Sequence, residues 1–223
     1  MGRLVRMLYE MLARVVLATE FPRARVDVPT RMAASHPEAV YRGLALAKTT
    51  KAVTVGIARA GTMPSQVVFE LMNEVLEPNL VRQDHLFMSR QTNEAGEVIG
   101  ATWHDAKIGR DVGDRYVIFP DPMGATGSSM VSAASYYKNK LEGKPAKLIA
   151  MPLIVTPEYI RRVTTDHPDL AIYAWRLDRG LSPPNILRTE PGTHIEEERG
   201  LNHIQYIVPG AGGVGEILNN AWV

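Results

Sequence analysis

Apolar residues fall into two rhythms along this chain, one with the period of a helix and one with the short runs of buried strands. Leu4, Val5, Leu8, Leu12, Val15 and Val16 recur at helical spacing and predict an amphipathic first helix. Its polar face mixes Arg6, Glu10 and Arg14, so it is expected to pack on the core or on a second subunit rather than lie on a membrane. Residues 21–30 carry two prolines and several arginines and read as a connector. Ser35 and Glu38 stand at capping-box spacing, which predicts a helix running to about Lys48. Residues 52–57 are a strand candidate. Pro64 then opens a helix with Val67, Val68, Leu71, Val75 and Leu76, and Pro78 follows its end.

Residues 85–91 and 97–103 alternate weakly around a Gly-containing turn, which predicts a β-hairpin. Val117, Ile118 and Phe119 form a short buried strand. Met130, Val131, Ala133, Ala134 and Tyr137 form a helical face after it. Residues 146–155 are long, apolar and partly β-branched, and predict a central strand. Thr156-Pro157-Glu158 starts a helix that ends before His167-Pro168, and residues 170–175 form another strand. Strands alternating with helices predict an α/β fold, a parallel sheet covered on both sides.

Candidate chemistry concentrates between the strand at 117–119 and the helix after it. The loop holds Gly124, Ala125, Thr126, Gly127, Ser128 and Ser129. Strand, small polar loop and helix start together suit a phosphate: backbone N–H groups converge, the first helical N–H groups are unpaired, and the helix dipole favours an anion. Gly124 and Gly127 permit positive φ and close approach. Asp121, at the strand end, is placed to reach sugar hydroxyls. No Walker lysine and no dinucleotide glycine spacing is present, so neither of those nucleotide folds is indicated. An ordinary βα turn built from small residues has the same spacing, and on spacing alone the two readings stay open.

Composition narrows the picture less than the motif does. The chain has 223 residues, a length that suits one domain. A formal charge of +1 argues against a broad nucleic-acid footprint. It has no cysteine, so neither disulfides nor thiolate metal sites arise. The six histidines show no metal-ligand spacing, and no metal-ligating residue is assigned. No apolar run is long enough to span a membrane, and the start of the chain makes a poor signal peptide or myristoylation site. A cytoplasmic location is the expectation.

The stretch FPDPMGATGSS at 119–129 resembles the ribose-phosphate loop of the uracil phosphoribosyltransferases. GIARAGTM at 56–63, HPDLAIYAWRLDRGL at 167–181 and YIVPG at 206–210 match the same family in the same order. The resemblance implies a type I phosphoribosyltransferase fold over residues 1–223, with a β-hairpin arm at about 85–107 and a C-terminal hood at about 181–215. It also implies a chain that begins later than most members and lacks their extreme N-terminal arm. Phosphoribosyl pyrophosphate (PRPP) would be bound by Arg59, Arg90, Asp121, Pro122, Met123, Gly124, Ala125, Thr126, Gly127, Ser128 and Ser129. Asp121, Arg59 and Arg90 would carry catalysis. Uracil would meet Tyr206, Ile207, Gly212, Gly213 and Val214, largely through main-chain groups. Mg²⁺ would enter on the pyrophosphate, UMP would be the product, a homodimer or higher homo-oligomer fits the family, and GTP is a candidate effector.

Two departures stand out. The family motif Gly-Asp-Ala-Gly-Asp reads Gly212-Gly213-Val214-Gly215-Glu216 here, so the aspartate that helps hold PRPP and metal is replaced by Gly213. An extra segment, residues 182–205, precedes Tyr206; its run Glu196-Glu197-Glu198 reads as a solvated face. The lost aspartate leaves two alternatives beside uracil transfer: a PRPP- or nucleotide-binding protein without turnover, and an enzyme for another base.

Overall fold

The computed structural model describes residues 1–92 and 98–221, with the side chains of all of these except 90–92 and 98–101. The chain opens with helix α1 (Gly2–Glu20), then strand β1 (Arg23–Pro29), a 3-10 turn (Arg31–Ala34), β2 (Val40–Leu46) and β3 (Ala52–Ala58). Helix α2 (Thr62–Val75), β4 (Val81–Thr92), β5 (Val98–Lys107), β6 (Tyr116–Phe119) and β7 (Met123–Gly124) follow. Next come α3 (Ser128–Asn139), β8 (Lys147–Ala150), β9 (Ile154–Val155) and α4 (Pro157–Asp166). The C-terminal part holds β10 (Ala171–Ile172), β11 (Arg176–Leu177), α5 (Pro184–Leu187) and α6 (Val214–Asn219).

The main sheet has the order β10-β8-β6-β3-β4-β5, parallel except for β5, which returns antiparallel to β4. Its central strands β3, β6 and β8 read as nearly continuous apolar runs because both their faces are buried. Ala52, Ile118 and Ile149 face α1 and α2, whereas Val53, Val55, Val117, Phe119, Leu148 and Ala150 face α3 and α4. That alternation is the period of two of a strand, and it divides the core into two layers. In α1, Val5, Tyr9, Leu12, Ala13, Val16 and Leu17 are buried, while Leu4 and Val15 are exposed, so the inward stripe is rotated from the one expected.

Three expectations need correction. Residues 21–30 are not a connector: most of them form β1, paired antiparallel with β2 from Arg23↔Leu46 to Pro29↔Val40. The helix expected up to Lys48 is β2 instead. Ser35 donates its hydroxyl to Met32 O rather than capping a helix, and Val40, Tyr41 and Gly43 are poor helix formers once β1 offers a ladder. The long strand at 146–155 is two strands, β8 and β9, in different sheets. Pro152 interrupts it, and the neighbouring strands break at the same level: β6 gives way to β7, and β10 to β11, so only Ala171 and Ile172 of the strand expected at 170–175 are strand. The result is a second, three-stranded parallel sheet, β11-β9-β7, at the C-terminal edge of the first. β4 and β5 pair antiparallel as the expected hairpin arm, which starts earlier, at Val81, while residues 93–96 of its expected turn lie outside the described residues.

Candidate active site

The step from β6 to β7 creates the small-residue loop. Pro122 is buried, and its carbonyl accepts from the N–H groups of Leu153 and Ile154 at 3.1 Å, which pins the loop to β9. Gly124 is required for space: a Cβ there would lie 2.9 Å from Val155 Cγ1 and 3.0 Å from Tyr159 Cδ2. Gly127 is required for conformation, with φ +78° at the entry to α3. Thr156 caps α4 by accepting from Tyr159 N at 3.0 Å, and its hydroxyl donates to Ala125 O at 2.6 Å, so one side chain fixes a helix start and the loop together.

The N-cap of α3, Gly127, brings no side chain, Thr126 Oγ1 accepts from Ser128 N only at 3.4 Å, and the first residues open onto a cavity of about 610 Å³ lined by Thr126, Gly127, Ser128, Ser129 and Met130. Thr126 Oγ1 and Ser128 Oγ lie 3.0 Å apart, and Arg162 Nη1 donates to Ser128 Oγ at 2.8 Å. Whichever hydroxyl donates in that pair, one hydroxyl hydrogen stays available to a ligand. The cup thus combines helix-start N–H groups, hydroxyls and a neighbouring guanidinium. Tyr137 anchors α3 from behind, donating at 2.7 Å to buried Asp84, which also accepts from Arg82 at 2.9 and 3.1 Å. Burial, and then the charge of Asp84 and the bond to it, push the Tyr137 hydroxyl far above its ordinary range.

A second wall comes from the turn between β3 and α2: Ile57, Ala58, Arg59 and Ala60. Gly61 is needed there, since a Cβ would lie 2.8 Å from Ile57 O. Arg59 is exposed and points to the C-terminal segment, donating to Ala221 O at 2.9 Å and standing 3.7 Å from Glu216 Oε1. The Glu216 carboxylate folds back so far that a Cβ on Gly213 would land on it. The space next to residue 213 therefore already holds a carboxylate, contributed from one helical turn further on.

The third wall is the hood: Gln205, Tyr206, Ile207, Pro209 and residues 211–216. Asp178, 2% exposed, ties it to β11 by accepting Gly210 N at 2.8 Å and Arg176 at 2.5 and 2.9 Å. The expected solvated run at 196–198 is corrected at its last member. Glu198 is fully buried, pairs with Arg179 at 2.9 Å and accepts Gly192 N at 2.9 Å. Burial of this pair is tolerable because Arg179 also bonds Ile186 O at 3.0 Å and Gly192 supplies a further donor.

The structure brings together Arg59, Asp121, Met123, Ala125, Thr126, Gly127, Ser128, Ser129, Tyr206, Ile207, Gly212, Gly213 and Val214 on one cavity. Pro122 and Gly124 do not line it and act on the loop from behind. The Arg90 side chain lies outside the described residues. Sequence reasoning passed over Tyr159, Arg162 and Gln205. Tyr159 sits at an ordinary apolar helix position, and Arg162 looks like a surface charge. Gln205 gives no hint of its positive φ, 61°, or of its amide oxygen, which is buried without a partner beside Tyr206.

A parallel sheet with a small-residue cup at its C-terminal edge and a hood over the same cavity fits the type I phosphoribosyltransferase class. The model of the uracil phosphoribosyltransferase family matches residues 2–194. A uracil phosphoribosyltransferase of Mycoplasma genitalium is 27% identical over 199 residues, covering 89% of this chain and 77% of that protein. One of Clostridium botulinum is 37% identical over 112 residues, covering 50% of this chain and 43% of that protein. A solved protein of Aquifex aeolicus shares the fold, with a TM-score of 0.67 at 22% identity over 97% of this chain and 84% of its own. The chain belongs to the uracil phosphoribosyltransferase family. The family match ends before Gln205, so the hood's contribution to the cavity rests on this chain's own geometry.

Proposed function

We infer that this chain transfers the 5-phosphoribosyl group of PRPP to uracil, forming UMP and releasing pyrophosphate. The observation that carries the reading is the convergence of the cup after β6, the Arg59 turn and the Tyr206–Val214 hood on one cavity. The cup, Thr126 to Ser129, takes the 5′-phosphate. Asp121 orients the ribose hydroxyls and offsets the positive charge that grows at C1 as the leaving group departs. Arg59 and Arg90 stabilise the departing pyrophosphate. Main-chain groups of Ile207, Gly212 and Val214 meet the flat imide of uracil, with Tyr206, 46% exposed, as a wall beside the ring. Catalysis on this plan is positioning and electrostatics.

Glu216, which stands at the second aspartate of the resembled motif, favours turnover over mere binding, because its carboxylate reaches back to the space next to Gly213. Among the described residues no group of three or more His, Cys, Asp or Glu is arranged to hold an ion. Asp121 and Glu216 on the cavity wall are nonetheless hard oxygen donors of the kind magnesium takes. Mg²⁺ bound through the pyrophosphate would neutralise leaving-group charge there.

The chain acts as one phosphoribosyltransferase domain and works in pyrimidine salvage in the cytoplasm. No helix among the described residues is long and apolar enough to cross a membrane. Self-association is supported by the exposed row Leu4, Met7, Met11 and Val15 on α1. GTP is carried as a candidate effector. The test is an assay of pyrophosphate release with uracil, PRPP and magnesium, run beside other nucleobases. PRPP binding without release would reassign the chain as a sensor, and a clear preference for another base would reject uracil.

A further inference from the structure

Three tyrosines are buried among the described residues, and they differ in one respect. Tyr9 donates to Met151 O at 3.0 Å, and Tyr137 donates to Asp84 at 2.7 Å. The hydroxyl of Tyr159 has no partner, although the residue is only 3% exposed. Its ring packs under Gly124 and among the apolar side chains that fill the layer between the sheet and α3 and α4. A phenylalanine would fill the same volume without stranding a polar atom. Native structures leave few such groups unmatched, and each calls for a reason.

Tyr159 is also the one of the three that borders the cavity, which it shares with Asp121. Burial, and then the negative charge of Asp121, hold its hydroxyl well above the ordinary tyrosine range. It is therefore a neutral donor at any working pH, set beside a carboxylate that only accepts. A sugar hydroxyl has the complementary needs: one proton to give and lone pairs to fill. A phosphate would be repelled by Asp121, and a flat base belongs to the hood wall. We propose that Tyr159 is a sugar-binding residue, its hydroxyl donating to a ribose hydroxyl oxygen of bound PRPP or UMP next to Asp121. The proposal deepens the phosphoribosyl reading above and rests on it.

The test uses the full chain and its Tyr159→Phe variant, titrated with UMP, 2′-deoxyUMP and 3′-deoxyUMP, with thermal unfolding measured without ligand. The variant should bind UMP about three- to tenfold more weakly. For one of the two deoxynucleotides, the one lacking the contacted hydroxyl, wild type and variant should bind alike. The unliganded variant should melt about 2–4 °C higher, because an unmatched buried hydroxyl has been removed. Equal UMP affinity in the two proteins overturns the proposal and leaves the function standing. An identical loss for UMP and both deoxynucleotides also overturns it, since the phenol would then meet something other than a ribose hydroxyl. Failure of the wild type to bind UMP removes the proposal and the phosphoribosyl reading together.

Discussion

The small-residue cup and the wall that faces it are built in opposite ways. The cup is nearly contiguous: residues 121–129 carry the loop and the helix start, and the two glycines are demanded by a Cβ clash and a positive φ. The facing wall is assembled from the β3–α2 turn, the hood and α6, and is held by long-range pairs such as Asp178 with Gly210 and Arg59 with Glu216. A contiguous site needs only local geometry, so it survives divergence as a readable motif. An assembled site can bring a carboxylate beside a position from another part of the chain, as Glu216 does beside Gly213.

The largest expected effect attacks the assembled wall. Glu198→Ala leaves Arg179 buried and unpaired and should cost about 3–5 kcal/mol of stability, read by denaturant unfolding. In protein that still folds, KM for uracil should rise more than KM for PRPP. Equal rises would erase the distinction between the walls.

Gly127→Ala attacks the cup. The left-handed backbone at φ +78° costs about 1–2 kcal/mol with a Cβ, which would also meet Val163 Cγ2 at 3.2 Å. Here PRPP affinity should fall with little change in uracil KM, the reverse of the hood variant.

Glu216→Gln tests the carboxylate beside Gly213. Turnover should drop about tenfold, the scale of a charge-assisted contact. Adding Gly213→Asp to that variant should restore much of the loss. Gly213→Asp in the wild type should do less, because its side chain must displace the Glu216 carboxylate already lying there. No rescue would mean that Glu216 only holds Arg59.

The smallest effect lies away from both walls. Burial alone would raise Glu20, but hydrogen bonds from Lys147 and Tyr173 outweigh it and hold the carboxyl below its ordinary range. A depressed folded value means this stability is full above the ordinary glutamate range and is lost as pH falls through the folded value. Glu20→Gln should flatten the acid limb of the stability profile by less than about 1 kcal/mol, measured by melting from pH 7 down to pH 3.

Legibility followed the same division. The cup, α2, the start of α4 and the β4–β5 hairpin were visible because caps, prolines, glycines and periodicity act over a few residues. β1 and β2 were not, because their mostly exposed faces leave little hydrophobic alternation and only pairing with each other makes them strands. Glu198 read as solvated because a charge run says nothing about an arginine 19 positions away.

The amino-acid order alone determined a parallel α/β sheet and a loop able to cradle a phosphate, since both follow from side-chain period and local backbone freedom. Only the tertiary structure decided where the long strands break and that Glu216 fills the space beside Gly213. It alone set Tyr159, whose hydroxyl is buried and unmatched, on the cavity wall. Those outcomes depend on groups far apart in the chain meeting at a few ångströms, and no local rule carries that distance.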